Sequence, residues 1–315
     1  LSDKFSVTPG FRFEYIKTES DGFFKRINTD AAGNVILNET IEDQREFERN
    51  FVLLGLGLSY QPSDRLEIYG NISENYRSVT FSDININNPA FTVDPNITDE
   101  DGFTADIGLR GNYDKLLSYD ASLFALAYND RIGFVQRTLD DNRIVSERSN
   151  IGDALIYGIE SLIDLNLKQV FSLPSPYRFN YFINTSFIRS EYTRSENAGV
   201  EGNEVEFVPE LNLKTGLTFS YKNFRANLQY SYLSQQFTDA SNSTQASLSG
   251  VIGELPQYDI LDLSFSYTYK QFKLETGVNN ILDEAYFTRR ATGYPGPGII
   301  PSPPRNFYAT LQIKF

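Results

Sequence analysis

The residues of this sequence that could do chemistry are arginines and glutamines at or beyond the ends of the predicted strands. The guanidinium of arginine is a planar fork of N–H donors that matches a carboxylate, and the glutamine amide adds further hydrogen-bonding groups. Such a set suits the binding of an anionic small molecule. The candidates are Arg77, Arg137, Arg143, Arg148, Arg189, Arg194, Gln235, Gln236, Arg289 and Arg290. For each arginine taken singly, a solvated surface charge is the alternative interpretation.

The composition excludes most other chemistry. The 315 residues include no Cys, His, Met or Trp, which rules out zinc fingers, haem and iron–sulfur ligation, thiol nucleophiles and a Ser-His-Asp triad. A metal bound directly would be a hard cation on carboxylates, and any other metal would arrive inside a ligand. The 41 acidic and 28 basic side chains give a net charge of −13, which argues against nucleic acid as a partner. We expect no enzymatic activity and no resident cofactor.

Polar and apolar residues alternate along most of the chain, and helical periodicity is hard to find. In LNLKTGLTFSY, residues 211–221, Leu, Phe and Tyr occupy one parity while Asn, Lys, Gly and Ser occupy the other. Alternation over about ten residues predicts strands roughly twice the usual length of about five to six residues. Twelve strands are predicted, at residues 4–17, 46–60, 65–77, 102–112, 117–129, 152–166, 177–191, 207–221, 224–238, 257–269, 272–282 and 305–315.

The connections between these strands alternate between short and long. The connections after the even-numbered strands are mostly tight turns, and those after the odd-numbered strands are polar and about 15 to 30 residues long. This arrangement predicts an all-β fold, an antiparallel up-and-down transmembrane β-barrel with all its long loops at one rim. A polar inside also reconciles the 14 % aromatic content with a mean hydropathy of −0.35. A soluble β-sandwich is the alternative, but it would have shorter strands and more even loops.

The strand boundaries assign every candidate binding residue to the long-loop rim. The assignments are Arg77, Arg189 and Arg194 close to strand ends, Gln235 and Gln236 at the top of the ninth strand, Arg137, Arg143 and Arg148 in the connection after the fifth strand, and Arg289 and Arg290 in the last long connection. A lipopolysaccharide contact is a further interpretation of any one of these arginines.

The end of the chain carries a recognisable pattern. GVNNILDEAY at residues 277–286, followed by Pro304-Arg305 and a final strand ending in Phe315, resembles the C-terminus of TonB-dependent outer-membrane receptors. Upstream, VPELNLKTGLTFSY and IYGIESLIDLNL resemble late barrel strands of that family. The segment FTRRATGYPGPGIIPSPPRNFY is similar to the ferric dicitrate group of siderophore receptors.

The resemblance implies a receptor in the bacterial outer membrane that binds a ferric chelate, such as ferric citrate, at extracellular loops. Iron would be present only as the bound chelate, and uptake would be energised by the TonB complex. Family barrels have about twenty-two strands and a plug, so residues 1–315 are expected to be the C-terminal portion of the barrel. The plug domain and the first strands are then missing, and TonB is contacted through that missing N-terminal part.

The same resemblance implies the orientation and the remaining partners. The long loops are expected outside the cell and the C-terminus in the periplasm, with outer-membrane lipid and lipopolysaccharide around the barrel. The terminal strand ending at Phe315 is expected to be the signal read by the barrel-assembly machinery.

The residues GVNNILDEAY also have a structural interpretation. Asn279, Asn280 and Asp283 have short polar side chains that can hydrogen-bond their own backbone. We expect them to do so where the eleventh strand passes into the last long connection.

Two other functions stay open. The chain could be a self-contained twelve-strand outer-membrane pore, such as a porin or a secretion barrel. An outer-membrane enzyme would need a nucleophile with a base, and the absence of His disfavours it.

Overall fold

The computed structural model describes residues 3–30, 32–84, 91–139, 144–247, 250–291 and 298–315. Nearly all of its regular structure is β. The elements are β1 (Phe5–Thr29), β2 (Val35–Ser63), β3 (Leu66–Arg77), α1 (Phe81–Ile84), β4 (Phe91–Val93), β5 (Glu100–Tyr113), β6 (Leu117–Thr138), β7 (Ile144–Leu165), α2 (Leu167–Val170), β8 (Tyr177–Arg194), β9 (Leu211–Tyr221), β10 (Phe224–Leu233), β11 (Gln236–Phe237), β12 (Glu254–Leu255), β13 (Tyr258–Tyr269), β14 (Phe272–Asn279), β15 (Phe287–Ala291), β16 (Gly298–Pro301) and β17 (Asn306–Ile313). No helix in these ranges is long and apolar enough to cross a bilayer.

Twelve of these strands form one antiparallel meander, which confirms the predicted barrel fold. Their order in the sheet is β1-β2-β3-β5-β6-β7-β8-β9-β10-β13-β14-β17. Within the described residues, β1 and β17 each pair with a neighbour on one side only, so the sheet is open at both ends. β4 adds a short parallel pairing to β7, while β11–β12 and β15–β16 form two small separate ribbons.

The two faces of the sheet differ in the way that the alternation predicts. Leu123, Ile159, Phe187 and Leu211 are register partners across β6 to β9 and therefore lie on one face. Phe187 is 57 % exposed there, and we call this apolar side the outer face. An extended exposed apolar surface suits lipid and not water.

The opposite side, the inner face, is polar and internally hydrogen-bonded. Arg110 donates to Glu67 across the β3–β5 pair, with 2.9 Å between Nε and Oε2. The Tyr69 hydroxyl donates to Asp120 at 2.8 Å. A wet or plugged interior accommodates such a network, whereas a dry sandwich core does not.

Two of the predicted long loops are instead strand. β1 and β2 stay paired from Phe5 opposite Tyr60 to Asn28 opposite Leu37, and β6 and β7 stay paired as far as Thr138 opposite Ile144. The prediction was wrong there because it took polarity as a sign of a loop. Backbone ladders form whatever the side chains are, provided that charged pairs such as Lys17–Glu46 at 2.7 Å face each other across the ribbon.

The ninth strand ends earlier than predicted. β10 stops at Leu233, so Gln235 lies beyond it, and Gln236 belongs to β11, where it pairs with Leu255 of β12. The segment turns away to build the loop end instead of continuing the barrel wall.

The polar turn after β14 is tied by its asparagines. The side-chain carbonyl of Asn280 accepts from the Glu284 N–H and its amide donates to the Glu284 carbonyl, both at 2.9 Å, which confirms local backbone bonding for this residue. Asn279 and Asp283 behave differently from the prediction. Asn279 donates to Asn306 and Asp283 accepts from the Arg305 N–H, because β17 returns beside this turn.

Candidate functional site

The buried apolar core lies beyond the loop-side ends of the strands. It belongs to a packed unit, the cap, made of residues 78–84, 91–99, 131–138, 144–154, 192–210, 234–247 and 250–255. Its clusters include Val135 with Ile151 and Tyr192, and Val79 with Ile97 and Ile132. The hairpin of β6 and β7 beyond residue 130 contributes to each cluster and is the scaffold of the cap.

An acid clamp fixes the segment after β3 to this scaffold. Asp83 of α1 is 4 % exposed and accepts from Arg77 at 2.8 Å and from Arg148 at 2.6 Å. Burial raises the pKa of Asp83, but hydrogen bonds from Thr80, Arg148 and Arg77 outweigh burial and lower its pKa to about 2. The clamp is therefore ionised at neutral pH and joins β3, α1 and β7.

Two predicted positions must be corrected here. Arg148 and Arg137 lie in strands β7 and β6 and not in a long loop. Arg148 also stacks on the ring of Phe134, 4.7 Å from its centroid. Arg137 pairs with Glu147 at 2.5 Å. Arg143 lies outside the described residues.

A second buried ion cluster was not predicted from the sequence. The Tyr192 hydroxyl, which is fully buried, donates to Glu206 at 2.6 Å, and Arg131 lies 3.3 Å from the same carboxylate. Tyr192 follows the ordinary strand alternation and Glu206 sits among many acids, so neither residue stood out. The cluster attaches the segment 192–210 to β6 at the base of the hairpin, because Tyr192 and Glu206 belong to that segment and Arg131 belongs to β6.

Two arginines that were predicted to bind the ligand form ion pairs with carboxylates instead. Arg189 is the register partner of Tyr157, an exposed residue of the outer face, and it pairs with Glu210. It therefore faces away from the interior, contrary to its proposed role. Arg194 pairs with Asp153 at 2.8 Å.

The last long connection separates its two arginines. Arg290 donates to the carbonyls of Gly250 and Glu254, at 2.9 and 2.8 Å, and so staples β15 to the segment after β10. Arg289 is exposed and forms no ion pair within the described ranges. Of the described arginine candidates, Arg289 is thus the one whose guanidinium is left for a ligand, and its ligand role stays a prediction.

Asp239 is buried in the cap, and no basic side chain of the described residues forms an ion pair with it. It is 1 % exposed, its Oδ1 accepts from the Ser241 hydroxyl at 2.8 Å, and its Oδ2 has no hydrogen-bond partner among the described residues. Burial raises the pKa of Asp239, and the nearby charge of Glu206 raises it further, against the hydrogen bonds from Ser241 and Gln136.

We expect Asp239→Asn to stabilise the cap at neutral pH by about 1 kcal/mol, because it removes a charge buried without full compensation. Because the folded-state pKa of Asp239 is raised, this carboxyl stabilises the cap most at acid pH, and its contribution is lost as pH rises through that pKa. Hydrogen exchange of the cap amides between pH 4 and 8, corrected for intrinsic rates, measures both effects. A variant with unchanged protection and an unchanged pH slope would contradict this assignment.

The comparisons with known proteins agree with this architecture. The family model described as "TonB dependent receptor-like, beta-barrel" matches residues 1–281. The vitamin B12 transporter BtuB of Vibrio vulnificus (strain CMCP6) is 21 % identical over 278 residues, 87 % of this chain and 38 % of that protein. The ferric citrate transporter FecA, unliganded, superposes with a TM-score of 0.73 at 22 % identity, over 99 % of this chain and 43 % of FecA.

A further structural neighbour is the ferric yersiniabactin uptake receptor FyuA from Yersinia pestis. It superposes with a TM-score of 0.71 at 20 % identity, over 100 % of this chain and 44 % of FyuA. The chain spans less than half the length of each of these relatives. The family match and the twelve-strand meander lead to one conclusion: the chain belongs to the TonB-dependent receptor β-barrel family, whose members are outer-membrane receptors and transporters.

Proposed function

We propose that this chain is the C-terminal part of the barrel of an outer-membrane receptor that takes up a ferric chelate. The observation that carries the proposal is the cap, a folded unit built on one rim of a family barrel. In this proposal the cap, held together by the Asp83 clamp and the Tyr192–Glu206–Arg131 cluster, is a preformed surface at the loop-side rim, where a small molecule entering the barrel would first be bound. In this proposal the long loops are extracellular and the C-terminus is periplasmic.

The open edges of the sheet support a larger barrel over a self-contained twelve-strand pore. Unpaired backbone groups in lipid cost several kcal/mol each, and the free edges of β1 and β17 would expose whole rows of them. Strands supplied by a preceding part of the same protein would cover both edges. That part would also hold the plug and the contact with the TonB complex.

The remaining partners follow from the same proposal. The outer face would contact lipid and, at the cap end, lipopolysaccharide, with the exposed Arg189–Glu210 pair as a candidate contact. The strand ending at Phe315 would be read by the barrel-assembly machinery. Iron would enter as part of the chelate, without a resident cofactor on this chain.

Ferric citrate is the first substrate to test. The segment FTRRATGYPGPGIIPSPPRNFY motivates it, and the likeness to FecA agrees with it. A citrate complex is an anion, and the exposed guanidinium of Arg289, which has no ion-pair partner among the described residues, offers it a bidentate donor.

Arg289→Gln is expected to weaken chelate binding about tenfold or more in the full-length receptor, with no change in its thermal unfolding. One charge-assisted hydrogen bond contributes about 1.5–3 kcal/mol.

Arg290→Gln is expected to affect the local structure and not the ligand contact. It removes the hydrogen bonds to the Gly250 and Glu254 carbonyls, so hydrogen exchange at residues 250–254 should rise. Lys25→Gln, an exposed change of equal charge on β1, is the control for long-range electrostatics.

The binding assay uses a panel of ferric citrate, ferric hydroxamate and catecholate siderophores, and cobalamin. Binding of at least one ferric chelate, together with TonB-dependent uptake, is the expected result. If no ferric chelate binds, the proposed function is wrong. If chelates bind equally well to Arg289→Gln, only the site assignment is wrong.

A further inference from the structure

Charge is strongly polarised along the barrel. The described residues of the loop end, 14–30, 32–54, 74–84, 91–103, 128–139, 144–156, 188–211, 233–247, 250–259, 279–291 and 298–306, include 29 acidic and 14 basic ones. The short-turn end, residues 3–4, 61–65, 112–117, 166–178, 221–225, 269–273 and 313–315, holds 3 acidic and 10 basic side chains. A chain of net charge −13 therefore presents a positively charged rim at its short turns.

Two lysines of this rim occupy backbone conformations that favour other residues. Lys222 and Lys270 each have φ of 51° in a tight turn, between β9 and β10 and between β13 and β14. Side chains other than those of Asn and Asp rarely adopt this left-handed conformation, because the Cβ atom comes too close to the following carbonyl oxygen. Lysine is therefore less favourable at these two turn positions than glycine or asparagine would be.

Both lysines lie directly over aromatic rings of the outer face. The Lys222 ammonium is 5.3 Å from the ring centroid of Tyr221, and the Lys270 ammonium is 5.5 Å from that of Tyr269. Tyr221 is the register partner of Tyr177 and of Phe224, so these three rings form an aromatic band at the short-turn end of the outer face. Tyrosines at the end of an apolar face mark the level of lipid headgroups.

We propose that the short-turn end is a binding surface for anionic phospholipid headgroups, with Lys222 and Lys270 as its phosphate contacts. The proposal rests on the barrel orientation of the proposed function. Each ring would lie at the boundary of the acyl chains, and its lysine would reach the phosphodiester just beyond it. The pairing with the outer-face rings favours lipid over an acidic soluble protein, which would not need basic groups at the level of the aromatic band.

The test measures which lipid the full-length receptor selects in a bilayer. The receptor is reconstituted in phosphatidylcholine, and the association of spin-labelled phosphatidylglycerol is compared with that of spin-labelled phosphatidylcholine. We expect a preference for phosphatidylglycerol of up to about fivefold per engaged lysine at low salt, decreasing at high salt because the charges are screened. K222Q/K270Q should lose most of this preference, and K222R/K270R should retain it.

The control is K17Q/K25Q, which removes the same charge from the β1–β2 hairpin at the opposite end and should leave the preference intact. Equal association of the two lipids, or a preference that survives K222Q/K270Q, would overturn the proposal. Loss of the preference on adding soluble glycerol phosphate would also overturn it, by identifying a free-anion site. Chelate binding is measured on the same samples, so that a receptor that selects phosphatidylglycerol but binds no chelate contradicts the proposed function alone.

Discussion

Replacing Asp83 with asparagine is expected to detach the 78–84 segment from the cap, at a cost of about 3–5 kcal/mol. The substitution leaves Arg148, whose side chain is only 17 % exposed, without its carboxylate. Asparagine also keeps only one acceptor oxygen, so it cannot serve both the two arginines and the Thr80 N–H and hydroxyl, which bond Asp83 at 2.9 and 2.7 Å. Removing one partner of a buried ion cluster is costly because the remaining charge stays desolvated.

Local unfolding is the appropriate measurement, because the barrel wall does not depend on this clamp. Hydrogen exchange of amides 79–84 should accelerate by two orders of magnitude or more in Asp83→Asn, while amides of β9 and β10 keep their protection. Asp94→Asn is the matched control: among the described residues the Asp94 side chain accepts only from the Asn96 N–H, and the asparagine amide oxygen can accept the same bond, so this change should cost little. Similar exchange in the two variants would mean that the clamp does not hold the segment.

The clamp also defines an acid limit for the cap. The pKa of Asp83 is lowered from 3.8 in the unfolded chain to about 2. A lowered pKa means that its stabilisation is complete above about pH 4 and is lost as pH falls towards 2. The raised pKa of Asp239 has the opposite effect, because its stabilising contribution is lost as pH rises. The two carboxyls together therefore favour a cap that is most stable in mildly acidic solution.

The sequence predicted the barrel wall well for a physical reason. Leu211 and Phe219 alternate with Lys214 and Ser220 because one face meets lipid and the other meets water, and that constraint acts on every second residue. Strand number, antiparallel order and the apolar face therefore follow from local patterns. The extensions of β1, β2, β6 and β7 did not follow, because they are rich in charged residues, which the prediction took as a sign of loops.

The candidate site was predicted less well, since its pairings are long-range. Arg148 donates to Asp83, which lies 65 residues earlier in the sequence. No local sequence pattern indicates which acidic residue will pair with which arginine. The prediction treated each arginine near the rim as available for a ligand. The fold instead uses Arg77, Arg148 and Arg194 in ion pairs, and Arg290 in hydrogen bonds to backbone carbonyls. Within the part of the chain that the structure describes, Arg289 is left as the exposed candidate without an ion pair.

These pairings change how ligand capture is expected to work. A loop that closes over a ligand needs few buried contacts, whereas the cap contains three apolar clusters and two buried ion clusters. We therefore expect the cap to bind as a largely preformed surface. The motion in a transport cycle would then be confined to segments outside the clusters, such as the β15–β16 ribbon.

Gly152→Ala is expected to destabilise the cap by about 3 kcal/mol or more, at the point where the cap joins the barrel wall. Gly152 lies where β7 leaves the barrel wall, opposite Arg131 and beside the register shifts that turn the β6–β7 hairpin into the cap. Its φ of 150° is one that L side chains rarely adopt, and an added Cβ would lie 2.0 Å from the Arg194 carbonyl oxygen. That neighbour is backbone held in the β7–β8 ladder, so it cannot move aside without breaking the ladder.

Gly199→Ala separates the clash from the backbone strain. Gly199 has φ of 78°, and its added Cβ would meet no atom within 4 Å, so only the left-handed conformation is penalised, by about 1–2 kcal/mol. Because the cap hairpin contributes to each apolar cluster, Gly152→Ala should raise hydrogen exchange in segments 78–84, 192–210 and 234–247 together, whereas Gly199→Ala should affect only its own turn. If Gly152→Ala raised exchange only at residues 150–154, the hairpin would not be the scaffold of the cap, and the loops around it would have to fold independently.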